Sequence, residues 1–257
     1  MSLRYRHIKR LIKARNSVFQ SNRNNLRFLL QKRYEWVKGF ITHGEQGIEF
    51  GSGAGHSRFY LGKYNYITTD IRNLPWLDKS EINAEESGFP DTYFDYIILM
   101  NVLQHLNRPA AFFREALRIL KPGGKLIVFE PYSSFSFRMA LGIIGHEHCN
   151  DKADVLSDGY CLENEARNFW DGNNSTGKIL FRNDEKFREK FAEFEIVEKS
   201  YSEFFVFLNS GGVYTNTLHI PVPLWFNRIK YKTDKILIKI SPDFFALAIR
   251  VVLQKKL

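Results

Sequence analysis

Apolar positions recur along this chain with two different periods. In residues 3–40, Ile8, Leu11, Ile12, Val18 and Phe19, then Leu26, Leu29, Leu30, Tyr34 and Val37, fall three or four apart. That is the spacing of one helix face. The asparagine-rich stretch 21–25 divides the segment into two predicted helices. Further on the pattern shifts to short apolar runs. Residues 47–50, 66–69, 94–100 and 125–130 predict strands, and 110–120 predicts a helix with Lys121-Pro122-Gly123-Gly124 as its C-terminal cap. Apolar strands alternating with helices mean a parallel sheet covered on both faces. After Pro131 the pattern loosens, and 132–180 reads as loops with short helices. Residues 194–199 and 244–254 predict two more strands. Between them, 221–240 reads as an insertion with an amphipathic helix: Trp225, Ile229, Ile236 and Ile240 share one side, and Arg228, Lys232, Lys235 and Lys239 lie elsewhere.

Bulk properties narrow the class. The chain has 257 residues, 44% hydrophobic and 25% charged, which suits one large or two small domains and excludes whole-chain disorder. Cys149 and Cys161 are too few for a disulfide framework, and neither sits in a CxxC pair, so a reducing compartment is expected and a zinc ribbon is not. No uninterrupted run of 18 apolar residues predicts a spanning helix. The basic N-terminus lacks the apolar core of a secretory signal. The expectation is a cytoplasmic protein, with peripheral contact to the inner face of a membrane as an added option.

Charge adds a sharper observation. The net charge is +9, yet residues 1–38 carry +10, residues 224–257 carry +6, and the body between them carries −7. Two basic ends flank an acidic body. Three readings are open: nucleic-acid binding, docking on an anionic membrane through helices with Trp225 or Phe19 at the interface, and a solvated helix face.

The candidate chemistry starts at Ile48-Glu49-Phe50-Gly51-Ser52-Gly53-Ala54-Gly55, where the first apolar strand runs into glycines. Such a turn lets backbone approach a ligand closely. Its third glycine comes two residues after the second, so this is not the GxGxxG dinucleotide fingerprint. Glu49 precedes the turn, and Asp70 ends the next strand, where a carboxylate can accept hydrogen bonds from both hydroxyls of a ribose.

Taken with Asn83-Ala84-Glu85, Phe89-Pro90-x3-Phe94-Asp95, Leu103-Gln104-His105-Leu106 and Leu120-Lys121-Pro122-Gly123-Gly124, these residues resemble a class I S-adenosylmethionine-dependent methyltransferase. The small-molecule branch that includes the ubiquinone/menaquinone-type enzymes is the most similar. The resemblance covers about residues 45–131. It implies a Rossmann-like sheet of seven strands, mainly parallel, with helices on both faces, an N-terminal helical cap and lid insertions. The expected organisation is a basic helical cap at 1–40 and a methyltransferase domain at 41–257. Within that domain, 45–131 would hold the cofactor, and 132–180 and 210–240 would form lid and substrate segments.

The resemblance also implies roles. Glu49, Gly51, Ser52, Gly53 and Gly55 would meet the methionine end of S-adenosylmethionine, and Asp70 its ribose. Ile71 would pack on the adenine, while Asn83, Ala84 and Glu85 would surround the adenine edge. Met100 and Asn101 would lie near the methionine moiety. Many relatives carry Asp where this chain has Asn83; an amide can still hydrogen-bond adenine.

A sulfonium methyl is already activated, so the protein chiefly aligns the groups, which can supply about 7–11 kcal/mol. A base is needed only where the acceptor keeps its proton. Candidates are His105 and the cluster His146, Glu147 and His148, beside Cys149 and Asp151. Each has a plain alternative: pocket lining or structure for His105, a solvated loop for the cluster. Adjacent ligands do not match known metal spacings, so no metal is expected. Tyr160, Trp170 and Tyr201 could line the acceptor pocket or belong to the core.

Methyl transfer to a small or lipid- or glycan-linked acceptor, at oxygen, is the function expected. An RNA methyltransferase and a non-catalytic cofactor-binding partner subunit are kept as rivals. Met100-Asn101-Val102-Leu103 stands where base-amine methyltransferases have Asn/Asp-Pro-Pro-Tyr/Phe, and the chain has no Pro-Cys. Both absences disfavour base-amine and cytosine-carbon methylation, though not every RNA substrate.

Overall fold

A computed structural model describes residues 3–144, 148–162, 172–213 and 217–257. Two helices, α1 (Leu3–Ser17) and α2 (Asn24–Lys38), precede β1 (Gln46–Phe50), α3 (Ser57–Leu61), β2 (Asn65–Asp70), β3 (Lys79–Ser80) and β4 (Phe94–Met100). A 3-10 turn, Leu103–His105, leads to α4 (Pro109–Ile119) and β5 (Leu120–Pro131). Then come α5 (Phe135–Ile144), α6 (Thr176–Phe181), α7 (Glu185–Lys190) and β6 (Phe194–Ser202). The chain ends with α8 (Phe205–Leu208), α9 (Leu224–Ile240), α10 (Pro242–Phe245) and β7 (Ala248–Lys255).

The seven strands form one sheet in the order β3-β2-β1-β4-β5-β7-β6. Strands β1 to β5 pair in parallel, and β7 runs antiparallel to both of its neighbours. Each central strand is apolar on both faces because each face is covered. One face packs Ile97, Leu99, Leu126, Val128, Val251 and Leu253 against Phe112, Phe113 and Phe181. The other packs Tyr96, Ile98, Ile127 and Val252 against Leu26, Leu29, Leu30 and Val37 of α2. The chain order reverses between β1 and β4, the position at which open α/β sheets bind ligands.

Two boundaries depart from the sequence expectation. Lys121-Pro122-Gly123-Gly124 does not cap α4. The helix ends at Ile119, Leu120 is already extended at φ −74° and ψ 138°, and the four residues belong to β5. The β4–β5 register shifts here, Phe94 pairing with Leu120 and Tyr96 with Lys125, so the glycines absorb an irregularity at the strand's start. The last strand likewise starts later than expected. Phe244 and Phe245 lie in α10, where Pro242 opens a short helical turn before β7.

Helix α9 packs inside out. Its buried residues are Asn227, Lys230, Asp234 and Ile238, whereas Trp225, Ile229, Ile236 and Ile240 are 49–71% exposed. Polar partners explain the choice. Asn227 Nδ2 donates to Asn25 Oδ1 at 3.0 Å, and Asp234 accepts the backbone N–H groups of Phe204, Phe205 and Val206 at 2.9–3.1 Å. Those N–H groups open α8 and have no intrahelical acceptor of their own.

Candidate functional site

The glycine turn joins the C-terminal end of β1 to α3 and lies beside the end of β2. Gly51 has φ +65°, and a Cβ there would sit 2.6 Å from Val102 Cγ2. Both its backbone geometry and its neighbour therefore require glycine. Ser52 stitches the two strand ends together: its N–H donates to Thr69 O at 2.8 Å, and its Oγ accepts from Thr69 N at 3.2 Å. A Cβ at Gly55, with φ +67°, would press to 2.9 Å from an Arg15 guanidinium nitrogen.

Two buried carboxylates flank this turn. Glu49 accepts from Ser57 Oγ at 2.5 Å, and burial pushes its carboxyl above the ordinary glutamate range. Asp70 accepts from Gly53 N at 3.0 Å and from Arg72 three times, through the backbone N at 3.0 Å, Nε at 2.7 Å and the terminal nitrogen at 2.8 Å. These contacts use the roughly four acceptor positions of a carboxylate. A ribose that hydrogen-bonds Asp70 must therefore take the place of the Arg72 side chain, which is 21% exposed and has solvent to move into.

The residues expected around the adenine lie in and beside the loop that follows β2. Ile82 N donates to Asp70 O at 3.0 Å, which docks the 82–86 loop on the end of β2. Asn83 Oδ1 accepts from Glu85 N at 3.0 Å and shapes that loop. Glu85 is held against the start of α4 by Arg108 N and Nε at 2.9 and 3.1 Å. Ala84 is buried, and Ile71 is 56% exposed, an apolar surface open to a flat ring. Met100 ends β4 and Asn101 follows it. Asn101 takes φ +58° and donates its N–H to Phe129 O at 2.7 Å.

Sequence reasoning passed over three contributors. Arg15 reaches from α1 over the turn and donates to Ala54 O at 2.9 Å. Its guanidinium lies 5.3 Å from the Phe59 ring and 5.5 Å from that of Trp76. Trp76 Nε1 in turn donates to Gly53 O at 2.8 Å. Glu130, fully buried at the end of β5, accepts from Val102 N at 2.6 Å, Leu103 N at 2.9 Å and Gln104 N at 3.4 Å. It sets the turn that follows β4. Burial outweighs these three donors and pushes its carboxyl up to about 7. The one signal for Glu130 was an acid closing an otherwise apolar strand; for Arg15 and Trp76 no local pattern exists.

His56 fixes α1 as well, one ring nitrogen lying 3.0 Å from Ala14 O, and burial pushes its pKa down to about 4.

Of the acid–base candidates, His146 and Glu147 lie outside the described residues, as does Trp170. His105 ends the 3-10 turn with Nε2 3.0 Å from Gln104 Nε2. His148 accepts the Asn174 N–H at its backbone oxygen, 3.2 Å away, while Asn173 N donates to Gln104 O at 2.9 Å. The 173–174 backbone thus ties together the two histidine-bearing segments. Asp151 and Ser175 bond at 2.5 Å beside Arg138 and Ser133, in a polar network past the end of β5. Burial pushes the Cys149 thiol up, away from reactivity. Among the described residues no group of three or more His, Cys, Asp or Glu could hold a metal ion. Tyr160 packs against the core, and Tyr201 lines a different cavity, behind α9.

Residues 48–128 match the family model described as a methyltransferase domain. A demethylmenaquinone methyltransferase of Tropheryma whipplei is 26% identical over 153 residues, 51% of this chain and 62% of that protein. A ubiquinone/menaquinone biosynthesis C-methyltransferase of Vibrio vulnificus is 44% identical over 121 residues, 39% of this chain and 46% of that protein. The chain thus spans between about half and two thirds of the length of these relatives. A SAM-dependent methyltransferase structure from Archaeoglobus fulgidus superposes with a TM-score of 0.52 at 13% identity, over 93% of this chain and 97% of that one, which shows a shared fold. With the glycine turn, Asp70 and the Asn83 loop in family order, residues 48–128 match a methyltransferase domain and are similar in sequence to enzymes of the ubiquinone/menaquinone type.

The residues suit S-adenosylmethionine: a turn that tolerates no Cβ at Gly51, a buried carboxylate at Asp70 where a ribose is expected, and an exposed apolar side chain at Ile71.

Proposed function

We propose that this protein transfers a methyl group from S-adenosylmethionine to a small or lipid-linked acceptor, at oxygen. The observation that carries the reading is the convergence of the Gly51 turn, buried Asp70 and the docked Asn83 loop at the point where the sheet order reverses. The bound cofactor supplies a methyl on a cationic sulfur, ready for in-line displacement. Asp70 would hold the ribose, Ile71 and the 83–85 loop the adenine, and the Glu49–Gly53 backbone the methionine end. Arg15, Trp76 and α1 would cover the turn and exclude water, giving the N-terminal helices the role of a cap. Glu130 would act at one remove, holding residues 101–104 in position. His105 and His148 are the described groups available to take a proton on the acceptor side.

Calorimetry with S-adenosylmethionine, then transfer of labelled methyl to hydroxylated quinol and glycan-lipid extracts, tests this. Product analysis reads the atom: the Vibrio vulnificus relative is named a C-methyltransferase, so a C-methyl product would replace oxygen. Failure to bind the cofactor would overturn the whole reading. Binding without transfer to any acceptor would favour the partner-subunit rival.

A second reading concerns location. No helix among the described residues is long and apolar enough to cross a membrane. The exposed apolar stripe of α9, flanked by exposed Arg228, Lys232, Lys235 and Lys239, suits instead a surface that is apolar below and anionic above. We propose that α9 lies on an anionic lipid surface. Cosedimentation with phosphatidylglycerol vesicles should fall at least several-fold for Trp225→Ser with Ile236→Ser, and equal sedimentation would refute it. A steep salt dependence of RNA binding, absent from vesicles, would favour the RNA rival.

A further inference from the structure

Behind α9, away from the glycine turn, lies a cavity of about 290 Å³. Tyr201, Ser202, Glu203, Tyr231, Lys235 and Arg250 contribute to its wall. Its volume is near the lower end for small-molecule sites and well above that of a single water.

The acids here are already committed. Glu203 forms a two-pronged pair with Arg33, both bonds at 2.7 Å and both side chains buried. Asp234, also in the wall, is held by the three N–H groups of α8. The cations are not committed. Arg250 is 9% exposed, and its Nε has no hydrogen-bond partner among the described residues. Its guanidinium lies 5.6 Å from the Trp36 ring and 5.7 Å from that of Phe129. Glu203 and Glu198 act on it through their fields, without an ion pair among the described residues. Ser202 Oγ is buried and likewise without a partner. Lys235 adds a second cation at the rim, near the Tyr231 ring.

A buried guanidinium with an unmet donor costs about 1–3 kcal/mol, more as an uncompensated charge. A fold keeps such a group where something arrives to meet it. Arginine, hydroxyl and ammonium donors around one cavity suit an anion with three acceptor oxygens better than one with two. Tyr201 and Tyr231 give it apolar walls for an attached body.

We propose that this cavity is a binding site for the phosphate group of a small organic phosphate, with Arg250 as its principal anchor. The lining of this cavity shares no residue with the glycine turn. Arg250 registers opposite Phe129, which registers opposite Met100. With strands about 4.8 Å apart, its Cα lies about 10 Å from the end of β4. The proposal does not depend on methyl transfer.

The test is calorimetric titration of the full chain, without S-adenosylmethionine, using phenyl phosphate, soluble dioctanoyl phosphatidic acid, inorganic phosphate and benzoate. Binding of either organic phosphate at least 10-fold tighter than inorganic phosphate or benzoate is expected. The tighter of the two identifies the source as soluble metabolite or lipid headgroup. Arg250→Met should weaken that binding at least 10-fold, with thermal unfolding unchanged or later because a buried charge has gone. Lys235→Gln, on the exposed rim, should weaken it about threefold and guards against a folding defect in the first variant. Asp70→Asn should leave it unchanged. No binding by the wild type, benzoate binding as tightly as phenyl phosphate, or full binding by both the Arg250 and Lys235 variants would each overturn the proposal.

Discussion

Replacing Glu130 with glutamine should change how stability depends on pH. In the native protein its carboxyl is fully buried and pushed up to about 7, against an ordinary value of 4.5. The folded state therefore holds a proton that the unfolded chain releases between those values. A raised folded value gives stability that is complete below pH 4.5 and lost as pH rises through 7. Each pH unit of the interval corresponds to 1.36 kcal/mol, so the loss approaches roughly 3 kcal/mol by pH 8. Glutamine keeps the shape and the acceptor for Val102 N and Leu103 N, both of which bond the same oxygen. It gives up only the 3.4 Å contact to Gln104 N. The variant should therefore lack the alkaline loss. Urea unfolding of both proteins from pH 4 to pH 8 measures the difference, in which every other titrating group cancels. The wild type should lose about 3 kcal/mol relative to the variant, or roughly 6–12 °C in melting temperature for a chain of this size. Parallel curves would refute the raised carboxyl. Glu130→Ala is the control: leaving the two short N–H groups without an acceptor should cost about 2–6 kcal/mol at every pH.

Asp70→Asn should weaken S-adenosylmethionine binding about 10- to 100-fold by calorimetry, the scale of one or two charge-assisted hydrogen bonds; unchanged affinity would end the ribose assignment. Arg72→Ala removes the side chain that competes for Asp70, so affinity should hold or rise, and a tenfold loss would show that Arg72 itself grips the cofactor. Arg15→Ala should loosen α1 by about 1–3 kcal/mol through the lost bond to Ala54 and the lost aromatic stacking, read as faster proteolysis within residues 3–20; an unchanged cleavage rate would contradict it. His56 is pushed down to about 4. A lowered folded value gives a base stability that is present above 6.5 and lost as pH falls toward 4. His56→Gln should therefore spare roughly 2–3 kcal/mol of acid loss at pH 4.5, and equal acid sensitivity in urea would contradict it.

Much of the cofactor half was legible because its determinants are local. A strand running into glycines, an acid at the next strand's end and a helix–strand alternation are read over a few residues at a time, and the 94–100 strand lies where its apolar run places it. Boundaries that turn on tertiary pairing were not legible. Lys121-Pro122-Gly123-Gly124 has the chemistry of a helix cap, but pairing of Leu120 with Phe94 draws it into β5. Phe244 and Phe245 look like strand, but they stack on Phe135, Phe204 and one another in a helical turn.

The amphipathic helix shows the division between sequence and fold most plainly. Periodicity established that 224–240 is a helix with two unlike faces, because helix formation needs only neighbours three and four residues away. It could not say which face turns inward. Buried backbone donors in α8 and Asn25 in α2 take up Asp234 and Asn227, so the polar face is inside and the apolar one is out. The +9 charge divides in the same way. The sequence set its sum and its two clusters. Only the fold spent Arg33 on Glu203 and Arg15 on the glycine turn, and left Arg250 buried over two rings without an ion pair among the described residues. Local spacing determines elements and cofactor class, since those depend on short-range backbone geometry. Which charges are neutralised and which stay without an ion pair depends on contacts between residues 39 to 214 positions apart, and those exist only in the folded chain.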